Sequence, residues 1–335
     1  MRTATTAVVS RRDRTVGLWT PSSPAPALFP KRMARAVAEL SQLGWEVVTA
    51  PSTYAISGPG AAPAPYLAEE LHGLLDDPKV DFVLATAGGY TADLVLRYLD
   101  YQWIAEQEKP IVGYSDVSNV LWALYTHGVG SLIHGPMAVS EFGHWTAPFP
   151  YTVDSLVRTL AGEYAGELVQ PDEWTDDDPW WDRDDERALL MKEATPWRAL
   201  RHGTASGWLL AGCMLSVRSA FGGPYLPETD GAVLFLEDFG VGPDQVCAML
   251  NQWRQSGRLS GLAGAVFGRR ARPQTAASGF ADFDEAILQV FDGIDIPIVA
   301  DVDFGHTEPQ LSLPLGASVL ITTDPVTIEL AGGKS

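Results

Sequence analysis

Cysteine is almost missing from this chain: Cys213 and Cys247 are the only two in 335 residues. Two thiols make neither a disulfide framework nor a zinc spacing, and a reduced cytoplasm fits them best. Cations are also short. Lys and Arg number 23 against 42 Asp and Glu, a net charge of −19. That balance argues against a nucleic-acid backbone as partner. Long apolar runs are absent too. No stretch approaches ~18 uninterrupted apolar residues, so no membrane span is expected. The arginine-bearing start, Met1 to Arg14, has no apolar run or cleavage site and reads as a ragged end rather than a secretory signal. The six histidines are scattered without a His-Glu-x-x-His pair, which leaves no metal motif. No repeat of ~20–50 residues stands out.

What is present is an alternation of strands and helices. Val16–Thr20, Trp45–Val48, Val80–Thr86 and residues 110–113 read as strands. Phe29–Leu43 and Tyr66–Asp77 read as helices, a further helix begins at Ala92–Leu99, and residues 51–65 form a loop. This order predicts an α/β fold with a parallel, Rossmann-like sheet in the N-terminal part. Ligands of such sheets lie beyond the carboxyl ends of the strands. Gly88-Gly89 and Ser115 both fall at such ends.

The stretch 109–136 carries the densest signal. Ile111 and Val112 end a buried strand, and Val117, Val120, Leu121, Leu124 and Tyr125 recur at helical spacing. Gly113-Tyr114-Ser115-Asp116 joins the two. A serine on a sharp strand-to-helix turn exposes its hydroxyl beside a helix N-terminus, as an acyl-transfer nucleophile requires. The alternative is that Ser115 or Asp116 only caps the helix. Val117 stands where a Gly-x-Ser-x-Gly motif has its second glycine. Gly88-Gly89 is a tight turn, and it does not match the Gly-x-Gly-x-x-Gly of a dinucleotide loop. It could also bring a backbone N–H to a reacting carbonyl, with the N–H of Asp116 as the second donor of an oxyanion hole. No cofactor is implied.

Residues 172–186 are dense in acid and tryptophan. A solvated linker explains the charges. It does not explain Trp174, Trp180, Trp181 and Trp197, because solvated linkers lack aromatics. These rings are expected to pack on the other domain, a partner subunit or a flat substrate ring. The second half is rich in short strands: Gly231–Leu236, Leu262–Gly268, Ile296–Val302, a turn-bearing strand in 311–316, and a terminal hairpin of 318–323 with 326–330. Helices are expected over Asp244–Ser256 and Phe283–Phe291. Glu237 ends the first of these strands and His306 follows the third. Ser115, Glu237 and His306 supply a hydroxyl nucleophile, a carboxylate and an imidazole base. Each also has an ordinary reading as a cap, a strand end or a loop residue.

The sequence resembles the serine peptidase family of LD-carboxypeptidases and microcin C self-immunity proteins. The resemblance runs along most of the chain. It is carried by Thr20-Pro21-Ser22-Ser23, Asp77-Pro78-Lys79-Val80-Asp81, Thr86-Ala87-Gly88-Gly89, Leu99-Asp100-Tyr101, Gly113-Tyr114-Ser115-Asp116, His134-Gly135-Pro136, Leu236-Glu237-Asp238 and Asp303-Phe304-Gly305-His306. It implies a triad of Ser115, Glu237 and His306 and an oxyanion hole from the amides of Gly88 and Asp116. It also implies a smaller, β-rich α/β C-terminal domain and a homodimer. On this reading residues 1–165 are the N-terminal domain, 166–205 an acidic, Trp-rich linker or substrate loop, and 206–335 the C-terminal domain.

Ala87-Gly88-Gly89-Tyr90-Thr91 and Leu99-Asp100-Tyr101-x-x-Ile104 look closer to the immunity branch. There a tryptophan stacks on the nucleobase of a peptidyl-adenylate, and Trp180 or Trp181 is the candidate here. One departure concerns Ala211-Gly212-Cys213-Met214, where the family usually has Gly-Gly-Asn-Leu. Cys213 therefore occupies an expected substrate-binding position. The implied activity is hydrolysis of a carboxamide in a peptidyl- or aminoacyl-nucleotide. The alternatives are a murein LD-carboxypeptidase releasing D-Ala from a small peptide, and a sequestering protein that binds without turnover.

Overall fold

The computed structural model describes residues 14–275 and 279–331. All but the last residue of the expected ragged N-terminal stretch lies outside the described residues. The first sheet contains β1 (Arg14–Trp19), β2 (Trp45–Thr49), β3 (Phe82–Ala85), β4 (Ile111–Gly113) and β5 (Leu132–His134). These strands are parallel, in the order β2-β1-β3-β4-β5, and residues Leu313–Pro314 extend the β5 edge antiparallel. The strands are apolar because both faces are covered: all four residues of β3 are buried. Among the described residues no helix is long and apolar enough to cross a membrane.

The second sheet has eight strands. Its members are β6 (Gly166–Glu167), β9 (Arg198–Arg201), β10 (Thr204–Cys213), β11 (Ala232–Glu237), β12 (Gly264–Gly268), β13 (Ile298–Val302), β15 (Ser318–Thr323) and β16 (Val326–Ala331). Their order is β6-β16-β15-β10-β11-β12-β13-β9, with β10 to β13 parallel. β7 (Glu173–Trp174) and β8 (Lys192–Glu193) pair separately, and β14 is Leu313–Pro314. The segment expected to be a linker thus supplies both edge strands, β6 and β9. The chain is a mixed α/β fold of one parallel sheet and a second sheet.

A helix over Ser118–Thr126 joins the sheets. Every residue from Ser118 to Leu124 is buried. It is apolar nearly all round because it lies between two layers. Trp122 is its anchor: the indole N–H donates to the Ala211 carbonyl of β10 at 2.7 Å and packs edge-on to Trp253. A Cβ on Gly212 would lie 2.9 Å from the Trp122 ring, so the strand needs glycine there. A Cβ on Gly207 would lie 2.2 Å from the Gly231 carbonyl oxygen. These two glycines interrupt the apolar pattern of β10, and the sequence reading passed over this central strand. It also passed over the helix Pro150–Leu160. The helix expected from Ala92 is two pieces, a 3-10 turn over Ala92–Tyr98 and an α-helix over Tyr101–Gln107 capped by Asp100.

Candidate active site

Ser115 comes two residues after β4, with Tyr114 between. Its φ is +57°, the left-handed region that L-residues rarely occupy. The turn is sharp because the chain passes from strand into helix within two residues. Gly113 permits it: a Cβ there would lie 2.8 Å from Val117. Gly88 approaches from the end of β3, and a Cβ on it would lie 2.7 Å from Ser115 Oγ. The Asp116 amide is on the same side, 3.4 Å from that Cβ position. Neither the Gly88 nor the Asp116 N–H donates to any described residue. Two free amides beside a hydroxyl can stabilise an oxyanion. The Asp116 carboxylate is fully used, accepting from Ser22 Oγ, the Ala92 amide and Asn119.

Glu237 ends β11 and is fully buried. His306 comes from the loop after β13. Its Nδ1–H donates to Glu237 Oε2 at 2.7 Å. A carboxylate only accepts, so this bond fixes the tautomer and leaves Nε2 as an acceptor. Nε2 lies 3.1 Å from Ser115 Oγ. Residues 191 and 69 positions apart from His306 thus meet in one relay. Burial pushes the Glu237 carboxyl up, but the His306 imidazole, joined by His134 and the Cys213 thiol, holds it below the usual range. Gly305, at φ +93°, lets the chain cross Glu237, where a Cβ would fall 2.3 Å from the Glu237 side chain. Phe239 stacks on the imidazole at 4.1 Å and Tyr114 meets it edge-on at 4.9 Å, which clamps the ring.

Two cavities meet at Ser115. One, of about 440 Å³, contains His306, Gly88, Trp180 and Trp181. The other, of about 650 Å³, contains Asp116, Asn119, Phe239 and Arg218. Trp180 is 65% exposed, with the Arg183 guanidinium against its ring. Trp181 is half-buried, edge-on to Phe29 at 5.2 Å and covered by the Arg32 guanidinium. The acids of this loop anchor it. Asp182 accepts from the Lys31 and Arg32 amides at 2.8 and 2.7 Å, capping the helix Pro30–Gln42. Asp185 is buried between the guanidinium groups of Arg32 and Arg35. The solvated-linker reading of these charges is therefore corrected.

Cys213 also needs correction. It is fully buried and does not line either cavity that reaches Ser115. Its strand pairs in register with β11, Cys213 opposite Glu237, so the thiol lies behind the Glu237 carboxylate. Burial, and then the Glu237 charge, push that thiol well above the usual range.

A polar wall that no motif in the sequence marks lines the first cavity. Glu141 accepts from Tyr114 Oη at 2.7 Å and from the Met137 amide at 2.5 Å. Glu308 stands against it, and burial pushes Glu308 up to about 8. Burial, then the Glu308 charge, push Glu141 well above the usual range. His144 accepts from Arg32 at its Nδ1, 3.0 Å, which leaves its Nε2–H toward Glu308. Burial and Arg32 hold His144 down at about 3, so it is neutral. Spacing marks none of these residues, although Glu308 is two positions from His306.

A parallel α/β sheet that presents a serine, an imidazole and a buried carboxylate in series beside a cleft has the architecture of a serine-type hydrolase. Two family models match the chain: the LD-carboxypeptidase N-terminal domain over residues 16–135 and the LD-carboxypeptidase C-terminal domain over residues 206–321. The chain belongs to the LD-carboxypeptidase family and is a peptidase. It is 29% identical over 321 residues to a putative carboxypeptidase of Vibrio cholerae, covering 94% of each chain. It is 24% identical to the microcin C7 self-immunity protein of Escherichia coli, over 94% of this chain and 92% of that one. It is 25% identical to a probable murein peptide carboxypeptidase of Bacillus subtilis, over 96% and 92%. The solved structure of MccF in complex with glutamyl sulfamoyl guanosine superposes with a TM-score of 0.88 at 23% identity, over 96% of both chains.

Proposed function

We propose that this peptidase uses Ser115 as nucleophile and cleaves a carboxamide in a peptidyl- or aminoacyl-nucleotide. His306 Nε2 takes the hydroxyl proton as Oγ attacks the carbonyl carbon. Glu237 orients the imidazole and stabilises its cation. The amides of Gly88 and Asp116 donate to the oxyanion. His306 then gives its proton to the leaving nitrogen, and water, deprotonated by the same imidazole, releases the acyl group from Ser115. The observation that carries this reading is the 3.1 and 2.7 Å relay at the meeting point of two cavities. One cavity can take the acyl part and the other the leaving part. Trp180 offers an exposed ring for a nucleobase, and stacking of that kind contributes ~1–3 kcal/mol. The ligand of the MccF complex is of this chemical class. Cleavage of such a toxic conjugate in the cytoplasm would confer resistance of the microcin C type. The homodimer that the resemblance implies belongs to the same proposal.

A second reading keeps the chemistry and changes the substrate to a murein tetrapeptide. It is favoured by Arg218, which lines the second cavity and makes no ion pair among the described residues. A free guanidinium suits a terminal carboxylate. Mass spectrometry of the protein incubated separately with an aminoacyl sulfamoyl-adenosine and a murein tetrapeptide separates the two, with Ser115→Ala as control. Cleavage of the adenosine conjugate alone supports the first reading. Release of D-Ala alone moves the protein to the second, and turnover by Ser115→Ala sinks both.

A further inference from the structure

Cys213 has no role in the reaction described above, yet it lies against the buried side of the triad. The parallel register of β10 and β11 sets Cys213 beside Glu237 at the carboxyl ends of both strands. Glu237 uses one oxygen to accept from His306. The other, Oε1, is buried and has no hydrogen-bond partner. The Cys213 thiol is the polar group that faces this carboxylate, and its S–H is a weak donor to it. One sulfur, one carboxylate oxygen and one imidazole nitrogen of Cys213, Glu237 and His306 all lie within 4.8 Å of one another. Sequence spacing hides the set, since its members come from two strand ends and a loop.

Thiolate, imidazole and carboxylate form a donor set for zinc and its softer congeners, and a poor one for magnesium or calcium. Zinc bonds of ~2.0–2.3 Å to such ligands hold the donor atoms about 3.3–3.6 Å apart. Side-chain shifts of an ångström or less would close the present separations to that. Apart from this thiol, which metal binding would deprotonate, Glu237 Oε1 has no donor, so its lone pair is open to an ion. Of the three, only His306 lines a cavity, so an ion enters by displacing that ring. Other ionisable groups that feel Glu237 are His134, which burial holds down at about 4, Tyr114, which burial pushes up, and Arg270, whose guanidinium pairs with Asp238.

We propose that Cys213, Glu237 and His306 form an inhibitory site for a soft divalent cation such as zinc. Binding breaks the Cys213 S–H bond and forms a metal–sulfur bond, and the thiol proton leaves to solvent. The metal takes His306 Nδ1, whose proton is replaced by one on Nε2. One proton is released per ion, and nothing is oxidised or reduced. A protonated Nε2 cannot accept from Ser115, so the relay is switched off while the ion is bound. The loss of activity rests on the proposed role of His306; the coordination does not.

Cobalt(II) titration of the full chain tests the site without any substrate. The expected result is one equivalent bound, with a near-ultraviolet sulfur-to-cobalt charge-transfer band that zinc abolishes by competition. Cys213→Ala and Cys213→Ser should each lose the band, and Cys247→Ala should keep it. On whichever substrate the enzyme turns over, zinc should inhibit the wild type reversibly, with chelator restoring activity. The residual activity of Cys213→Ala should need at least ~100-fold more zinc, the loss expected when a metal ligand or its support is removed. A wild type without the band, a band retained in Cys213→Ala, or equal zinc inhibition of both proteins overturns the proposal. Failure of the wild type to cleave any offered substrate counts against the proposed function instead, and the cobalt band still decides the metal site.

Discussion

Gly88 and Ser115 are in mutual contact across the ends of two neighbouring strands. A single added methyl on Gly88 would lie 2.7 Å from Ser115 Oγ and 3.4 Å from the Asp116 amide nitrogen. Gly88→Ala is therefore expected to displace the hydroxyl and spoil the pair of free amides together. The expected loss is about 10²–10³-fold in kcat, the scale of removing one oxyanion donor. Steady-state kinetics with a circular-dichroism control checks it. Near-normal kcat would mean that the amide of Gly88 is not part of the oxyanion site.

Trp180 and Trp181 should separate in their effects. Trp180 is 65% exposed and holds up little structure. If it stacks on a base, Trp180→Ala raises KM for a nucleotide conjugate by about 10-fold or more and leaves thermal stability near wild type. Trp181 packs on Phe29 and Arg32, so Trp181→Ala should lower Tm as well as activity. Thermal scans beside KM measurements test both. Under the murein reading, turnover of tetrapeptide survives both substitutions.

Asp185 carries the loop that bears these rings. Its carboxylate is buried between Arg32 and Arg35, and removing it leaves Arg32 buried without its anionic partner. Breaking a buried pair on one side costs about 3–5 kcal/mol. Asp185→Ala is expected to lower Tm clearly and to expose residues 172–190 to limited proteolysis. Unchanged Tm and proteolysis would show that the loop is held by other contacts.

The Glu141–Glu308 pair sets a pH dependence of stability. Burial raises the folded Glu308 carboxyl from its ordinary 4.5 to about 8. A raised folded value favours the protonated folded state, so this contribution is full below about pH 4.5 and is lost as pH rises through about 8. Glu308→Gln should remove its own part of that fall and leave that of the buried Glu141, so its Tm should drop less than wild type between pH 5 and 9. Parallel slopes for the two proteins would contradict the assignment.

Much of the fold was legible because strand and helix periods alternate cleanly through the first 113 residues. The elements that escaped notice share a cause. β10 is interrupted by Gly207 and Gly212, which tertiary neighbours require and local pattern does not announce. Ser115, Glu237 and His306 could be picked out because each stands at a strand end with chemistry to offer. The joint role of Cys213 and Glu237 could not, because it depends on the register of two strands. The polar wall of Glu141, Glu308, His144 and Arg32 escaped for a similar reason. Its members come from three separate segments, and only folding makes their charges interact.

The central claim is that Ser115 is a nucleophile activated by His306. Intact-mass spectrometry after treatment with a fluorophosphonate, followed by peptide mapping, tests it without a known substrate. The expected result is one adduct, on Ser115, absent in Ser115→Ala and formed far more slowly in His306→Ala. No adduct in the wild type, an adduct elsewhere, or equal labelling of His306→Ala would contradict it.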